Sequence, residues 1–384
     1  MSNLLNKARE ILGENEMQEM IPLFKVFMSP NVDKPLLDVI HSGYIGEGPK
    51  VQEFEENLKN YTGNDKMVTL HSGTAGLHLA YHLAMHQNDY KGYKNSNEDE
   101  IITTPITCTA TNTPIISNGA KVVWADVDPI TGSILPEDIE RKITKNTKAI
   151  TMVHWGGNPC EIEKINKIAK DANVKTVEDG AHSMGMEYKG GKFGNHSDYS
   201  MNSLQAIKHI TSVDGGLLWF KSEKDYERAK LLRWYGIDRT IREGIDLRCE
   251  LDVPEAGYKF HMNDVCAVIG NENFKHLNEI ISKHRENAKF YDEAFKDKVT
   301  FVPENKDGKS AYWLYTIHVN NRDELMNKLK ELNIMSSKVH ARNDSHSMFG
   351  EFRATLPGVE QFNKTHLCIP VGWWVDKEQR EYIA

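Results

Sequence analysis

Three polar stretches in the first 220 residues carry side chains that could do chemistry together. Lys208 lies in "SLQAIKHITSVDGG" (203–216), as a lone lysine ahead of an Asp-Gly-Gly turn and an apolar run. A lysine in a partly apolar setting can have a lowered pKa and act as an amine nucleophile. Taken alone, Lys208 is better explained as a solvated surface lysine, because the chain contains many lysines.

The second stretch, "VEDGAHS" (177–183), follows an apolar run and contains Asp179 and, three residues later, His182. A buried carboxylate needs a cationic partner. A protonated pyridine nitrogen would be such a partner, and the carboxylate would keep that nitrogen protonated. The alternative is that Asp179 only caps the turn that follows.

The third stretch, "HSGTAGL" (71–77), lies between a predicted strand and a predicted helix. Its small residues, Gly73 among them, allow backbone N–H groups to approach an anion at the helix N-terminus, where the helix dipole favours negative charge. The alternative is an ordinary helix cap made by Ser72 or Thr74.

Together the three stretches supply an anion cradle, a carboxylate for a ring nitrogen and an amine for an aldehyde. These are the requirements of pyridoxal 5′-phosphate (PLP), an electron sink that is held by a lysine Schiff base and an acidic partner at its pyridinium nitrogen.

Other candidate motifs in the sequence do not match the patterns of known phosphate-binding or metal sites. "KDGKS" (306–310) has Pro303 where a phosphate-binding P-loop needs its first glycine. No metal-ligand pattern is evident, and two histidines in "HARNDSH" (340–346) favour surface or substrate contact.

These residues require a scaffold of alternating strands and helices. Apolar runs that predict strands alternate with helical patterns through the first 220 residues: 66–70, 100–105, 121–127, 148–155, 174–179 and 216–220. Helices are predicted over 74–86 and 159–173. This alternation indicates an α/β fold with a mainly parallel sheet. Such sheets bind ligands beyond the carboxyl ends of their strands.

The pattern changes after about residue 245. Residues 263–295 predict one long helix or a pair, and 309–319, 322–334 and 336–340 predict a smaller α+β domain. We expect an N-terminal extension over 1–20, a PLP-binding large domain over 21–245 and a small C-terminal domain over 246–384.

The bulk composition excludes several classes of protein. The 384 residues carry a formal net charge of −8, which predicts no general attraction to nucleic acid or to anionic membranes. The five cysteines are scattered without a CxxC pair, so neither a disulfide framework nor a zinc ribbon is expected. There is no signal-peptide pattern and no apolar run near the roughly 18 residues needed to span a membrane. We therefore expect a cytoplasmic protein.

At this point the sequence resembles the DegT/DnrJ/EryC1/StrS sugar aminotransferases, of PLP fold type I. The resemblance runs from residue 21 nearly to the C-terminus, and its matching elements occur in order: 42–55, 71–80, 119–134, 177–185, 203–216 and 257–270. It implies a large domain with a mainly parallel sheet, a smaller α+β C-terminal domain, and a homodimer in which each site is completed by the partner subunit.

The resemblance also implies site roles, which we carry over position by position. Lys208 would form the Schiff base with PLP, Asp179 would pair with the pyridine nitrogen, and His182 would lie near the ring hydroxyl. The phosphate would be held by Ser203, Gly73 and Thr74.

Two positions depart from many relatives. Cys108 stands where an aromatic residue often stacks on the cofactor ring. Lys259 and His261 stand where Asn and Arg are common, in a stretch that would reach the phosphate of the partner subunit.

The implied reaction is a ping-pong transamination. L-Glutamate would be the amino donor, pyridoxamine 5′-phosphate the intermediate form of the cofactor, and a nucleotide-linked keto-sugar the acceptor. The motifs look closest to 4-aminotransferases that convert dTDP-4-keto-6-deoxyglucose to dTDP-4-amino-4,6-dideoxyglucose, whereas related enzymes use GDP- or UDP-sugars. Candidates for binding the nucleotide sugar are Tyr44, Arg233, Arg239 and His340, although surface packing explains Tyr44 and the two arginines equally well.

Three alternatives use the same scaffold: a PLP-dependent sugar dehydratase, a cyclitol aminotransferase and a PLP-binding regulator without turnover. Lys208 argues against the dehydratase, because some members of the family that dehydrate sugars carry histidine in its place. The intact set of Lys208, Asp179 and His182 argues against the regulator.

Overall fold

A seven-stranded sheet forms the centre of the molecule in the computed structural model, which describes residues 19–87, 98–240 and 252–384. The strands of these ranges are β1 (Met67–Leu70), β2 (Glu100–Thr103), β3 (Lys121–Trp124), β4 (Thr147–Val153), β5 (Lys175–Asp179), β6 (Glu187–Tyr188), β7 (Gly191–Lys192), β8 (Tyr199–Ser203), β9 (Gly216–Phe220), β10 (Thr300–Phe301), β11 (Gly308–Lys309), β12 (Tyr315–His318) and β13 (His366–Ile369). The strand order in the central sheet is β1-β9-β8-β5-β4-β2-β3.

The helices lie on both sides of this sheet and in the C-terminal region. They are α1 (Asp33–His41), α2 (Pro49–Thr62), α3 (Gly73–Met85), α4 (Thr109–Ser117), α5 (Pro136–Lys142), α6 (Ile162–Asp171), α7 (Glu223–Leu232), α8 (Asp264–Phe274), α9 (Leu277–Phe295), α10 (Arg322–Glu331), α11 (Pro357–Thr365) and α12 (Lys377–Ile383). Within the described ranges, no helix has both the length and the apolar character to cross a membrane.

The central sheet is parallel except for β9, which is antiparallel to both of its neighbours, β1 and β8. The predicted strands are all present. The sequence did not predict β8, whose residues "YSMNS" lack the apolar run of the other strands even though all five are buried. Insertion of β9 between β1 and β8 places the carboxyl ends of those two strands at the same edge as that of β5.

Two apolar clusters of side chains cover the faces of the sheet. One contains Leu79 and Leu83 of α3 together with Val177 and Met201, and the other contains residues of α6 and α8. The strands contribute alternate residues to the two clusters, as expected for a parallel sheet that is buried on both faces.

A second, three-stranded sheet in the C-terminal region has the order β10-β12-β13 and its own apolar cluster. This cluster includes Tyr291, Tyr315 and Leu367, and also Ile21 from the start of the described chain. The helical stretch predicted over 263–295 is the pair α8 and α9, which separate at residues 275–276. Residues 336–340 form only an isolated bridge, Ser337 with Cys368, rather than a strand.

The helix α8 connects to the N-terminal part of the chain through Asp264. Its carboxylate accepts hydrogen bonds from the backbone N–H groups of Gly48, Lys50 and Val51 and so caps the start of α2. The boundary predicted at 245/246 and nearly all of the extension predicted over 1–20 lie outside the described residues, so the domain division stays a prediction.

Candidate active site

A cavity of about 300 Å³ lies at the carboxyl ends of β5 and β8, next to the N-terminus of α3. Because the carboxyl ends of parallel strands meet at one edge of a sheet, side chains far apart in sequence converge there. The predicted site residues that line this cavity are Gly73, Thr74, Cys108, Asp179, His182, Ser203, Lys208 and His340.

Lys208 lies in the loop that follows β8. Its side chain is half-buried and lines the cavity. Within the described part of the chain the amine has no hydrogen-bond or ion-pair partner; the ring of Trp313 lies 3.8 Å from Nζ. Desolvation lowers the pKa of this amine to about 8, against the raising effect of Asp179 and Cys108. About a tenth of such an amine is uncharged and nucleophilic at pH 7, far more than at the usual lysine pKa of about 10.4.

Asp179 is the last residue of β5 and is buried. Its carboxylate accepts a hydrogen bond of 2.6 Å from the hydroxyl of Thr111 and one of 3.0 Å from the backbone N–H of Ala181. Burial raises the pKa of Asp179 above its usual value, and these two hydrogen bonds counteract that rise. Both interpretations of Asp179 therefore hold in part: it closes a local turn, and it also presents a buried acid without a bonded cation to the cavity.

The first turn of α3 forms one wall of the cavity. Ser72 is the N-cap, and its hydroxyl accepts a hydrogen bond of 3.1 Å from the N–H of Ala75. Space around the turn is tight: a Cβ atom added to Gly73 would lie 3.2 Å from Cβ of Ser203, and one added to Gly216 would lie 2.2 Å from the carbonyl oxygen of Ser72. Glycines at these positions allow the backbone and the Ser203 hydroxyl to surround an anion closely.

Aromatic rings form the opposite wall. His182 stacks on Trp313 with 3.9 Å between ring centroids, and Phe24 stacks on Trp313 at 4.7 Å. His340 lies parallel to His182 at 5.9 Å. Nδ1 of His182 and Nε2 of His340 are buried and have no hydrogen-bond partner among the described residues. Burial lowers the pKa of both histidines, so these rings are neutral.

The remaining predicted residues do not line this cavity. Tyr44, Arg233 and Arg239 border a separate groove, and Lys259 and His261 pack against Trp234 beside it. Nζ of Lys259 lies 3.2 Å from the centroid of the Trp234 ring.

Arg233 in this groove is buried and already has protein partners. It forms ion pairs with Glu55 at 2.6 Å and with Glu47 at 2.8 Å, and it donates a hydrogen bond to the carbonyl of Thr69. Arg239 is more exposed and pairs with the other carboxylate oxygen of Glu47. These contacts support a packing role for Arg233, and its role in substrate binding stays a prediction.

Sequence reasoning missed two residues of the site, Thr111 and Trp313. Thr111 lies three residues after Cys108 in the stretch "PITCTATN" (105–112), which is the spacing of about one helical turn. Trp313 is more than 100 residues from Lys208 in the chain, and no local pattern connects them. Among the described residues, no cluster of three or more His, Cys, Asp or Glu side chains is arranged to hold a metal ion.

The cavity residues fit PLP by the chemistry of their groups. The turn at Gly73 and the hydroxyl of Ser203 suit a phosphate, the carboxylate of Asp179 suits a pyridinium nitrogen, and the amine of Lys208 suits an aldehyde. The buried Nδ1 of His182 is a free hydrogen-bonding group that can serve a ring hydroxyl.

Comparison with known proteins agrees with this assignment. The model of the DegT/DnrJ/EryC1/StrS aminotransferase family matches residues 28–384. An uncharacterised protein from Methanocaldococcus jannaschii is 35% identical over 369 residues, which cover 92% of this chain and 93% of that protein. The UDP-4-amino-4,6-dideoxy-N-acetyl-beta-L-altrosamine transaminase of Campylobacter jejuni is 32% identical over 359 residues, 88% of this chain and 90% of that protein.

Among solved structures, the sugar aminotransferase CalS13 from Micromonospora echinospora superposes with a TM-score of 0.89. It is 36% identical, and the match covers 95% of this chain and 98% of that chain. The likeness confirms the predicted α/β architecture of PLP fold type I. The chain therefore belongs to the DegT/DnrJ/EryC1/StrS aminotransferase family, and it is a PLP-dependent sugar aminotransferase.

Proposed function

We propose that this protein transfers an amino group from L-glutamate to the 4-keto carbon of a nucleotide-linked 4-keto-6-deoxysugar. The observation that carries the proposal is the convergence of Lys208, Asp179 and the first turn of α3 on one cavity. The match to an aminotransferase family and the similarity to a sugar aminotransferase support the acceptor class.

The residues of the chain have separate tasks in this reaction. PLP, when bound, supplies an electron sink and carries the amino group from donor to acceptor. Lys208 moves the proton between the α-carbon of the substrate and the cofactor, since an amine with a pKa of about 8 can both accept and return a proton near neutral pH. Asp179 holds the ring nitrogen in its protonated form. The aromatic wall excludes water from the amine.

We propose dTDP-4-keto-6-deoxyglucose as the first acceptor to test, on the basis of the motifs at 203–216 and 231–239. The alternatives are the corresponding GDP- and UDP-sugars. The Campylobacter relative, whose name refers to a UDP-linked amino sugar, supports the UDP alternative. Within the proposed function, His340 faces the substrate from the aromatic wall, because its unpaired Nε2 can bond a sugar hydroxyl.

We propose further that two copies of the chain share their active sites. Lys259 and His261 lie outside the cavity of their own chain. Tyr44 and Ile45 are 71% and 57% exposed, and Leu37 of the preceding helix α1 is 53% exposed. A second copy of the chain would cover these apolar side chains and would bring Lys259 and His261 to the phosphate of its partner.

Mixing of two inactive variants tests the shared site. Lys208→Ala and a double variant, Lys259→Ala with His261→Ala, would each be inactive alone. In a mixed dimer, one of the two sites contains only intact residues, so complete subunit exchange should restore about a quarter of the wild-type activity. Absence of any recovery, with dimers demonstrated by light scattering, would contradict sharing.

The substrate proposal is tested with a panel of dTDP-, GDP- and UDP-4-keto-6-deoxysugars, glutamate and the PLP-loaded protein, with products identified by mass. A 4-amino product is expected from one nucleotide class. A dehydrated product would favour the sugar dehydratase, and an aminated cyclitol, from a cyclitol ketone added to the panel, would favour the cyclitol aminotransferase. Bound PLP without any product would favour the regulator. Borohydride reduction provides the matched control, since the wild type should retain the cofactor on Lys208 and Lys208→Ala should not.

A further inference from the structure

The segment 311–313 crosses from the C-terminal region to the loop that carries Lys208. The N–H of Ala311 donates a hydrogen bond of 3.0 Å to the carbonyl of Gly157, and Nε2 of His209 donates one of 2.9 Å to the carbonyl of Ala311. His209 directly follows Lys208 in the chain. The segment and the lysine loop are thus tied together at the residue next to the amine-bearing one.

Two further hydrogen bonds fix the rest of the segment. Nδ1 of the buried His284 donates to the carbonyl of Tyr312 over 2.8 Å, and the indole Nε1 of Trp313 donates to the carbonyl of Ile207 over 3.0 Å. Tyr312 has φ +48°, in the left-handed region that side chains other than glycine rarely adopt. Such a conformation persists only where the surroundings fix it, and it sets the direction of Trp313.

As a result, the indole of Trp313 presents its face to the amine of Lys208. Nζ lies 3.8 Å from the ring centroid, on the face of the indole. The hydrogen bond to the carbonyl of Ile207 is donated by Nε1, at the edge of the same ring. The ring is itself held by stacking with His182 and Phe24. A lysine side chain has four flexible carbons and would otherwise sample many rotamers in the cavity.

An indole face attracts an ammonium group but not a neutral amine, so the contact favours the protonated form. The other titratable groups around the Lys208 side chain are Asp179, Cys108, His182, His340, the adjacent His209, whose pKa burial lowers, and Asp214 of the cavity lining. His182 and His340 are neutral because burial lowers the pKa of both rings. The Trp313 face therefore joins Asp179 in stabilising the charge of the Lys208 amine.

We propose that Trp313 is a positioning residue that holds the amine of Lys208 against its indole face whenever that amine is not bonded to the cofactor. The inference rests on the role of Lys208 in the proposed function. It explains how the amine stays at the cavity wall between its two proton transfers, without an ion-pair partner that would fix its charge.

The test is the pKa of Lys208 in the cofactor-free protein, which does not depend on any substrate or turnover. Acetic anhydride labels uncharged amines, and the labelling of the Lys208 peptide against pH, followed by mass spectrometry, gives this pKa. In Trp313→Met, which keeps an apolar side chain but has no π face, we expect the pKa to fall by roughly one unit. Trp313→Phe keeps a weaker face, and its pKa should fall by less.

Trp373→Met is the matched control. Trp373 is half-buried, packs edge-on against Phe27 and has Lys25 over its ring, but it does not line the cavity. The Lys208 pKa should be unchanged in this control.

A Lys208 pKa that is unchanged or raised in folded Trp313→Met would overturn the proposal, because it would mean that the indole only excludes water. If Trp313→Met does not fold, Trp313→Phe decides alone: a fall supports the role and no fall refutes it. A failure of the nucleotide-sugar panel would leave this measurement intact, so the two results are distinguishable.

Discussion

The hydroxyl of Thr111 donates a hydrogen bond of 2.6 Å to Oδ2 of Asp179, and both residues are buried. The same hydroxyl lies 2.6 Å from that of Thr107, so a short chain of hydroxyl groups leads to the carboxylate. A hydrogen bond to a carboxylate favours its charged form. Thr111 therefore helps to keep Asp179 ionised in a setting where burial favours the neutral acid.

Thr111→Val removes this bond with little change in shape. Hydrogen bonds to charged groups contribute about 1.5–3 kcal/mol, so the pKa of Asp179 should rise by roughly one to two units. Ionised Asp179 is then lost at a higher pH on acidification, and the acid limb of the kcat/KM profile should move upwards by the same amount. The control is Thr176→Val, whose hydroxyl donates to Asp198 away from the cavity. An unshifted acid limb in Thr111→Val would show that Thr111 does not act on Asp179.

Gly73→Ala tests the tight turn at the start of α3. The added methyl group would lie 3.0 Å from Sδ of Met201 and 3.2 Å from Cβ of Ser203, so the cradle must widen. We expect the dissociation constant for PLP to rise roughly tenfold, in line with the cost of overpacking, as measured by fluorescence titration. Gly350→Ala places a methyl group in open space and should leave PLP affinity unchanged. Equal affinities in the two variants would argue against a phosphate site at this turn.

Arg233→Met tests whether Arg233 is structural. Its loss leaves the carboxylate of Glu55 buried without its cation, and breaking a buried pair in this way costs about 3–5 kcal/mol. Although burial raises the pKa of Glu55, the adjacent Arg233 holds it below its usual value. Urea unfolding of Arg233→Met should show this decrease of about 3–5 kcal/mol in the free energy of unfolding. Arg239→Met breaks a more exposed pair with Glu47 and should cost less than about 1 kcal/mol. Similar stability losses in both variants would refute the structural role of Arg233 as distinct from that of Arg239.

The buried carboxylate of Glu255 predicts a loss of stability in acid. It bonds Arg228 and His82, and although burial alone raises its pKa, these partners lower it to about 2. Because the folded-state pKa lies below the unfolded value of about 4.3, the stabilisation is complete above that value. It is lost as the pH falls from about 4.3 to 2. Glu255→Gln should be less stable near neutral pH, and its free energy of unfolding should depend less on pH across that window. Parallel pH curves for the two proteins would contradict this assignment.

The central sheet was largely predictable because its strands are apolar and are separated by helical patterns. The exception, β8, shows the limit of this reasoning. Its serine and asparagine side chains are buried, and Ser200 and Asn202 donate hydrogen bonds to Glu178 and to the carbonyl of Gly180, so its sequence looks polar although its position is internal. The stretch 336–340, which helped to indicate the small α+β domain, forms no strand, because only Ser337 pairs with another segment, at Cys368.

Site residues were predictable where they lie next to the end of a strand that the sequence pattern reveals. Lys208, Asp179 and Gly73 each follow or precede an apolar strand, and that position alone directs them to the edge of the sheet. Trp313 was missed because its contact with Lys208 depends on the backbone of Tyr312 and on two histidines from other elements. Arg233 was a candidate for substrate binding or for surface packing, because its ion-pair partners, Glu47 and Glu55, cannot be inferred from their spacing in the sequence.

The position of β1 at the edge of the central sheet has a consequence for the order of assembly. Its only partner in that sheet is β9, and Met67 pairs with Trp219, roughly 150 residues later in the chain. At about 5–20 residues per second, a ribosome needs on the order of 10–30 s to supply that partner. Until β9 has emerged, β1 lacks its strand partner in the described part of the central sheet, so the turn at Gly73 that follows β1 lacks this support.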